Sequence, residues 1–528
     1  MITSVVGPCR RRDSLAVDRR TKLRTTVAII LGTLPVAAFA EPPTASSQEL
    51  QDLRRQVQQL QQQLDRVQAQ QEAATQQTGA VPASASTPAA ATAADPGITA
   101  GPLTLTFGGF AELAGIYRNR NETADVSTNF NTLIPFPNSP QQHLSEFRAS
   151  ARQSRLSLLT QGPQDEDASA EAYLELDFQS AAPTANSVES NSYNPRMRQF
   201  YATYNRKNAG FYLLAGQTYS LVTLQRQGIT PRQEQIPLTI DGQYVPGFNW
   251  TRNPQLRFVK DFGKKIALGV SLESPQASIF SGPNPPLVTT VFNAPGGFLF
   301  APTTNYSTDV APDVVAKISW DPGFGHYELY GLGRAFRDRA GGKNVTIYGS
   351  GGGGGFILPI VAKQLDFQGT FLVGRGIGRY GSAQLQDVAV APDGRLASIS
   401  GYSALVGLIY RPASAWTVYG YAGVEHADSK SYIAVVNNVE LGYGYGSPLY
   451  NNSGCEIEGS TLCAANTSQI EQATLGAWWK YYQGKLGNMQ LGLQGAYTRR
   501  KIFDGVGGNP NTNMIGGMLS FRYYPYQR

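Results

Sequence analysis

Apolar and polar residues alternate along most of the chain after residue 101, in segments separated by clusters of turn-forming residues. Two of the clearest segments have an apolar residue at every second position: Ile266, Leu268, Val270 and Leu272, and Val314, Ala316, Ile318 and Trp320. A period of two puts successive side chains on opposite faces of a β-strand. Each segment therefore predicts a strand with one apolar face and one polar face.

The length of the alternating region, residues 101–528, decides between two all-β architectures. A soluble sandwich buries its apolar faces against each other, and such domains usually end at about 200 to 250 residues. A closed barrel in lipid turns apolar side chains toward the acyl chains and polar ones toward a water-filled lumen. We predict an all-β fold, a transmembrane antiparallel β-barrel of 16 strands with 18 as the alternative, since 16 strands leave about 27 residues for each strand and its connection.

The first 40 residues have the pattern of a secretory signal peptide. A basic leader precedes an apolar stretch of 14 residues (27–40), which ends with Ala38, Phe39 and Ala40 before Glu41. An uncleaved membrane anchor is the alternative. A spanning helix needs roughly 20 apolar residues, so the short stretch favours the signal peptide.

A helical pattern and a linker pattern follow the signal peptide. In the segment 46–76, apolar residues recur at spacings of three and four: Leu50, Leu53, Val57, Leu60, Leu64 and Val67. This heptad seam predicts a short coiled coil that associates between chains, and a helix packed on the protein's own domain is the alternative. Residues 77–100 are rich in Ala, Thr, Ser and Pro and predict a flexible linker before the barrel domain, 101–528.

Composition and net charge argue against several classes of protein. The chain is 10% aromatic and 16% charged and contains 56 glycines, which argues against both a disordered chain and a helix-rich enzyme. The formal charge of +6 falls to +1 without the signal peptide, because the mature chain keeps 37 Lys and Arg against 36 Asp and Glu. We therefore expect no nucleic-acid partner.

Charged residues on the polar strand faces are the candidates for a functional site. The basic candidates are Arg155, Arg196, Arg198, Arg257 and Arg334, and the acidic candidates are Glu171, Glu175 and Asp177. We expect the arginines to face the carboxylates from a nearby strand, to line the pore and to favour anionic solutes. A structural network that keeps the barrel wall rigid is the alternative for each arginine.

The cysteines predict a loop closed by a disulfide bond. The histidines give no indication of a catalytic or metal site. Cys455 and Cys463 are the two cysteines of the mature chain, and an even pair in an exported protein predicts a disulfide in an extracellular loop. Two free thiols or a metal pair are less favoured. The three histidines lack the spacing of a metal site, and no catalytic or cofactor-binding motif is evident, so we expect no metal, no cofactor and no enzymatic activity.

Several short segments resemble the opening strands of DcaP-type outer-membrane porins of Gram-negative bacteria. They read GGFAELAGIY at 108–117, SRLSL at 154–158, RMRQFY at 196–201 and LAGQTYS at 214–220, with PQLRF at 254–258 and GRGIGRY at 374–380. The order of signal peptide, coiled coil, linker and barrel is also similar.

This resemblance implies a trimeric porin of 16 strands in the bacterial outer membrane, with its N-terminal helices in the periplasm. It implies outer-membrane lipid and small anionic solutes, such as dicarboxylates, as further partners. In the family, inward arginines of the early strands contribute to the anion path, and here these match Arg155, Arg196, Arg198 and Arg257. The alternatives are a structural or adhesin barrel and a barrel hydrolase.

Overall fold

The computed structural model describes residues 97–126, 130–180, 188, 193–241, 245–296 and 301–527 of the chain. The predicted signal peptide and coiled coil and most of the predicted linker lie outside these residues. The last linker residues, Ile98–Ala100, pair with the start of the barrel domain at Leu103 to Leu105. No helix among the described residues is long and apolar enough to cross a membrane.

Sixteen antiparallel strands form a closed barrel in the described part of the chain. They are β1 (Leu103–Arg118), β2 (Glu146–Ser150 and Arg155–Gln164), β3 (Ala168–Asp177), β4 (Arg196–Arg206), β5 (Phe211–Tyr219), β6 (Arg252–Phe262), β7 (Ile266–Glu273), β8 (Asp313–Trp320), β9 (His326–Ala340), β10 (Lys343–Val361), β11 (Leu365–Arg375), β12 (Ser400–Ala413), β13 (Trp416–Ala427), β14 (Thr467–Gly484), β15 (Gly487–Ile502) and β16 (Asn511–Tyr524). Strand β1 pairs with β2 on one side and with β16 on the other, which closes the barrel. The prediction of 16 strands is confirmed, and the alternative of 18 is wrong.

The connections differ between the two ends of the barrel. Short turns join the strands at one end, and most connections at the other end are long. The long connections carry the remaining elements: the 3-10 helices Pro140–His143 and Gly378–Tyr380, and the short strands Ile279–Phe280, Thr290–Val291, Asn293–Gly296, Ala301–Ser307, Val388–Val390, Leu396–Ser398, Lys430–Val436 and Val439–Tyr445. This asymmetry gives the barrel a plain end and an end covered by loops.

The burial pattern of the strands is that of an inside-out protein. In β7, Leu268 and Val270 are 44% and 46% exposed, whereas Ser271 and Glu273 are fully buried. The same alternation in β8 exposes Ile318 and Trp320 and buries Lys317. Apolar side chains therefore face outward and polar ones face the lumen, as the period-two pattern predicts.

The hydrophobic core lies inside the barrel, because the connection between β5 and β6 folds into the lumen. We call this connection, residues 220–251, the luminal loop. Its Leu221 and Ile229 pack against the inner wall residues Leu214 and Leu332. The described part of its second half packs against Tyr419, Tyr421 and Trp478 through Ile240, Val245 and Phe248. The lumen is thus narrowed by a packed loop.

One glycine of the wall makes this packing possible. Gly355 lies in β10, where a Cβ atom would stand 2.9 Å from the Leu224 Cδ1 atom of the luminal loop. Such a distance is shorter than an ordinary van der Waals contact, so a larger residue at this position requires the Leu224 side chain to shift.

Charged substitutions on the outward and inward faces of the wall test which face contacts lipid. Val270→Arg puts a charge on the outward face, and at a bilayer midplane this lowers the free energy of unfolding by about 2 to 4 kcal/mol. The control Gln161→Arg puts the same charge on the inward face, where Gln161 already contacts Glu171. Urea unfolding in lipid vesicles measures both, and equal losses would contradict the assignment of the faces.

Candidate functional site in the barrel lumen

An ion-pair ladder runs across the inner face of β2, β3 and β4. Arg196 donates from Nε and Nη2 to the two carboxylate oxygens of Asp177, at 2.9 and 2.7 Å. Arg198 donates to Glu175 at 2.5 Å and to Asp177 at 2.8 Å. Arg155 Nη1 lies 3.7 Å from the other oxygen of Glu175. Five of the eight predicted charged site residues are therefore adjacent on one wall.

Register explains why these charges meet. Strand pairing puts Ser157 opposite Glu175 and Arg196 opposite Asp177, so alternate residues of neighbouring strands share the inward face. The charges lie side by side along one wall rather than on opposite sides of a constriction. These pairs set up no field across the pore, because each carboxylate is next to a guanidinium.

The arginines of the ladder differ in their contact with the lumen. The side chains of Arg155 and Arg196 remain 25% and 27% exposed, whereas that of Arg198 is 2% exposed. Removing one partner of a buried pair leaves an uncompensated charge and costs about 3 to 5 kcal/mol. Arg198 therefore holds the wall together, and Arg155 and Arg196 remain as the ladder's candidates for contact with solutes.

Arg257 and Arg334 point inward as expected but are covered by loops. Arg257 is fully buried and donates to Gln255 Oε1 from Nε and Nη2, at 3.1 and 2.8 Å. Arg334 pairs with Asp313 at 3.1 Å and with Asp387, in the connection 376–399, at 2.8 Å. The expectation that these two arginines line a water-filled path is corrected, because the interior loops take that space.

The remaining predicted residue, Glu171, contacts the luminal loop. Its Oε2 lies 3.2 Å from Nη2 of Arg232, and its Oε1 accepts a hydrogen bond from Gln161 at 3.0 Å. Arg232 was not among the residues expected from the sequence. The strand alternation that identified the other candidates does not extend into the loop.

Buried carboxylates of the wall hold the backbone of the luminal loop. Glu273 of β7 accepts hydrogen bonds from the hydroxyl of Ser220 at 2.9 Å and from the amide of Leu221 at 3.1 Å. Glu425 of β13 accepts one from the amide of Gly247 at 2.8 Å. These carboxylates bind the two ends of the loop to different parts of the wall.

A charged cluster at the short-turn end holds the middle of the loop. His326 contacts Asp321 through Nδ1 at 2.8 Å and Glu328 through Nε2 at 3.0 Å. Asp321 accepts from the amide of Gly228 at 2.9 Å, and Glu328 accepts from the amide of Gln225 at 3.1 Å. A buried unpaired amide is costly, so these bonds fix the loop against the wall.

Lys317 completes this cluster. Its Nζ lies 2.6 Å from Glu328 and donates to the carbonyl of Thr223 at 2.8 Å. The ammonium group thus compensates a buried carboxylate and binds the loop at the same time.

The far side of the luminal loop reaches the opposite wall. The amide of Leu238 donates to Tyr421 of β13 at 3.2 Å, and its carbonyl accepts from Trp478 of β14 at 2.7 Å. The amide of Ile240 donates to Gln494 of β15 at 2.7 Å. The loop therefore crosses the lumen from one wall to the other.

The cysteine pair lies in the connection between β13 and β14. Cys455 and Cys463 are bonded to each other. The carbonyl of Cys455 accepts from the amide of Asn138 at 2.9 Å, and the amide of Gly459 donates to the carbonyl of Asn138 at 2.9 Å. The stapled loop thus supports the connection between β1 and β2 at the end covered by loops.

The histidines show no arrangement for catalysis or metal binding in the described residues. Both ring nitrogens of His326 contact carboxylates, and those of His426 contact Gln469 at 3.2 Å and Asp428 at 3.1 Å. Neither ring is therefore placed as a base beside a serine hydroxyl. No cluster of His, Cys, Asp and Glu able to hold a metal ion occurs in the part of the chain that the structure describes.

We predict that Asp321→Ala releases the middle of the luminal loop. The amide of Gly228 loses its acceptor, which costs about 1 to 3 kcal/mol, so the amides around 225–228 exchange with solvent roughly ten times faster. Hydrogen exchange followed by mass spectrometry measures this change. Asp428→Ala removes a comparable His–Asp pair outside the luminal loop. Unchanged exchange in Asp321→Ala would show that the loop is held by other contacts.

Comparison with known proteins supports the fold assignment. No protein-family model matches the sequence, and no curated protein matches it. Among solved structures, the outer membrane channel DcaP of Acinetobacter baumannii is similar with a TM-score of 0.57 and 18% identity, over 81% of this chain and 100% of that chain. An anion-selective porin of Comamonas acidovorans has a TM-score of 0.43 and 10% identity over 80% and 99% of the two chains. OmpT of Vibrio cholerae has a TM-score of 0.43 and 7% identity over 81% and 99%.

Of these three structures, DcaP has a TM-score above 0.5, and at 18% identity the similarity to it concerns the fold. The expected resemblance to DcaP-type porins is confirmed at that level: this chain has the fold of the DcaP channel.

Proposed function

We propose that this protein is an outer-membrane porin, a channel for passive diffusion of small hydrophilic solutes. The observation that carries the proposal is the inside-out barrel, with an exposed apolar outer wall and a charged inner wall. An apolar outer face is stable in contact with lipid, and a closed barrel leaves no backbone edge unpaired there. The shared fold with a protein described as an outer membrane channel supports the same function.

The proposal includes a preference for anions, such as dicarboxylates. Three pairs contribute an exposed guanidinium to the lumen: Arg155 with Glu175, Arg196 with Asp177, and Arg232 with Glu171. In each pair the arginine is more exposed than its carboxylate, with 25% against 9%, 27% against 1% and 33% against 21%. Solutes in the lumen therefore meet the positive member of each pair first, which favours anions.

The proposal also assigns a location and an assembly. The signal peptide directs export, the short turns lie at the periplasmic side, and the end covered by loops faces outward. The segment 46–76 joins three chains in the periplasm through its heptad seam. The functional unit is then a homotrimer in the outer membrane, and its conduction does not depend on the coiled coil.

Conductance of the purified mature protein in a planar bilayer tests the channel function. We expect steady conduction in three equal steps per inserted particle, because each barrel of a trimer conducts separately. In a potassium chloride gradient, the reversal potential is expected to show a higher permeability for chloride than for potassium. Bilayers that contain the protein but do not conduct would contradict the channel function, and a preference for potassium would contradict the anion preference alone.

Deletion of residues 46–76 tests the role of the predicted coiled coil. We expect the trimer to dissociate already at higher protein concentration than the full-length protein, as measured by light scattering in detergent, because the barrels lose one set of contacts. Conductance per barrel is expected to stay unchanged. Loss of conductance in the deletion variant would mean that the segment belongs to the channel itself.

A further inference from the structure

The luminal loop exposes one short segment, its tip, which consists of residues 226–233. Every tip residue except Ile229 is at least partly exposed, whereas Leu224 and Glu234 on either side are buried. The amide of Arg226 donates to the carbonyl of Gln233 at 2.7 Å, and that of Gln235 donates to the carbonyl of Leu224 at 2.7 Å. The tip is therefore the end of a small hairpin that stands inside the lumen.

The tip carries positive charge without a compensating carboxylate in its own sequence. Its residues are Arg, Gln, Gly, Ile, Thr, Pro, Arg and Gln, so its charged members are Arg226 and Arg232. The adjacent acidic residue, Glu234, is buried, and burial raises the pKa of its carboxyl group. The hairpin thus presents the partly exposed guanidinium of Arg232 to the lumen.

The backbone at Arg232 is held in an uncommon conformation. Its φ is +67°, in the left-handed region that residues with a side chain rarely adopt. Such conformations persist where the surrounding structure fixes them, and they are frequent at functional sites. Here the hairpin bonds and the contact of Gly228 with Asp321 fix the backbone.

The side chain of Arg232 faces the wall in a way that allows exchange with a solute. Its guanidinium lies 3.2 Å from Glu171 and 5.6 Å from the ring centre of Tyr173, and it is 33% exposed. Glu171 is also partly exposed, so this ion pair is screened by water and weak. A solute carboxylate therefore competes with Glu171 for the same guanidinium, with the Tyr173 ring beside it.

We propose that Arg232 is a specificity-determining residue of the channel and that it recognises the carboxylate groups of passing solutes. The inference rests on the proposed channel function. It assigns the anion preference chiefly to the luminal loop, with Glu171 as an internal competitor, and gives the strand arginines a smaller part. The side chain of Arg232 is 33% exposed, against 27% for Arg196 and 25% for Arg155, and Arg198, Arg257 and Arg334 are buried.

The chloride-to-potassium permeability ratio of variants tests this assignment. We expect Arg232→Gln to lower the ratio about twofold in 0.1 M salt, because one charge leaves the path. The effect is expected to shrink in 1 M salt, where the Debye length is about 3 Å. The control Arg206→Gln removes an exposed arginine paired with Asp167 near a short turn and is expected to leave the ratio unchanged.

Glu171→Gln separates recognition from a structural role. We expect it to raise the permeability ratio, because Arg232 loses its internal competitor and becomes available to anions. Loss of the Glu171 charge raises the ratio by itself, so the same substitution is also made in the Arg232→Gln variant. A larger rise in the presence of Arg232 is expected, and equal rises would contradict recognition by Arg232. A competition assay with acetate extends the test: acetate is expected to reduce chloride current more strongly in Glu171→Gln than in the unmodified channel.

The outcomes distinguish this inference from the proposed function. If the unmodified protein does not conduct, the channel function fails. If it conducts with anion preference and Arg232→Gln keeps the same ratio, or Glu171→Gln raises the ratio equally with and without Arg232, the assignment to the loop is wrong and the channel function stands. Circular dichroism of each variant verifies that the barrel is intact before its conductance is interpreted.

Discussion

Pairing of every strand on both sides is the constraint on which this structure depends. Strand β1 is shared between β2 and β16, so the sheet has no free edge. A closed sheet satisfies its backbone hydrogen bonds internally, which allows the outer wall to be apolar and in contact with lipid. The polar side chains of the strands then point toward the lumen. Closure therefore produces the charged interior from which any selectivity has to come.

A charged interior creates a second requirement, since buried ions and buried amides both need partners. The luminal loop meets this requirement together with the wall. Glu273, Glu328 and Glu425 accept hydrogen bonds from loop amides, and Lys317 compensates Glu328 while it binds a loop carbonyl. Several inward carboxylates thus accept hydrogen bonds from the loop and are covered by it. They contribute little to the electrostatic field at the water-filled part of the lumen.

The sequence predicted the barrel wall far better than the loop that folds inside the barrel. Alternation has a period that depends only on strand geometry, so it predicted the strands around Val270 and Ile318, their outward faces and the inward direction of Arg257 and Arg334. It contains no information on where a connection goes after it leaves the strand. Alternation therefore gave no indication that residues 220–251 enter the lumen, and Arg232 was missed. A signal was present: Leu221, Val222, Leu224 and Ile229 are more apolar than a loop in water requires.

The number of charges gives the barrel domain, residues 101–528, only a small positive excess, with 34 Lys and Arg against 30 Asp and Glu. When opposite charges are paired, the field in the lumen depends on which member of each pair reaches the water. Asp177 is almost fully covered while its partner Arg196 is not, and the side chain of Arg232 is more exposed than that of Glu171. Burial removes the carboxylates from contact with solutes without removing them from the protein. Unequal exposure within neutral pairs thus makes the water-facing surface of the lumen more positive than the count of charges alone, and this is the basis of the proposed anion preference.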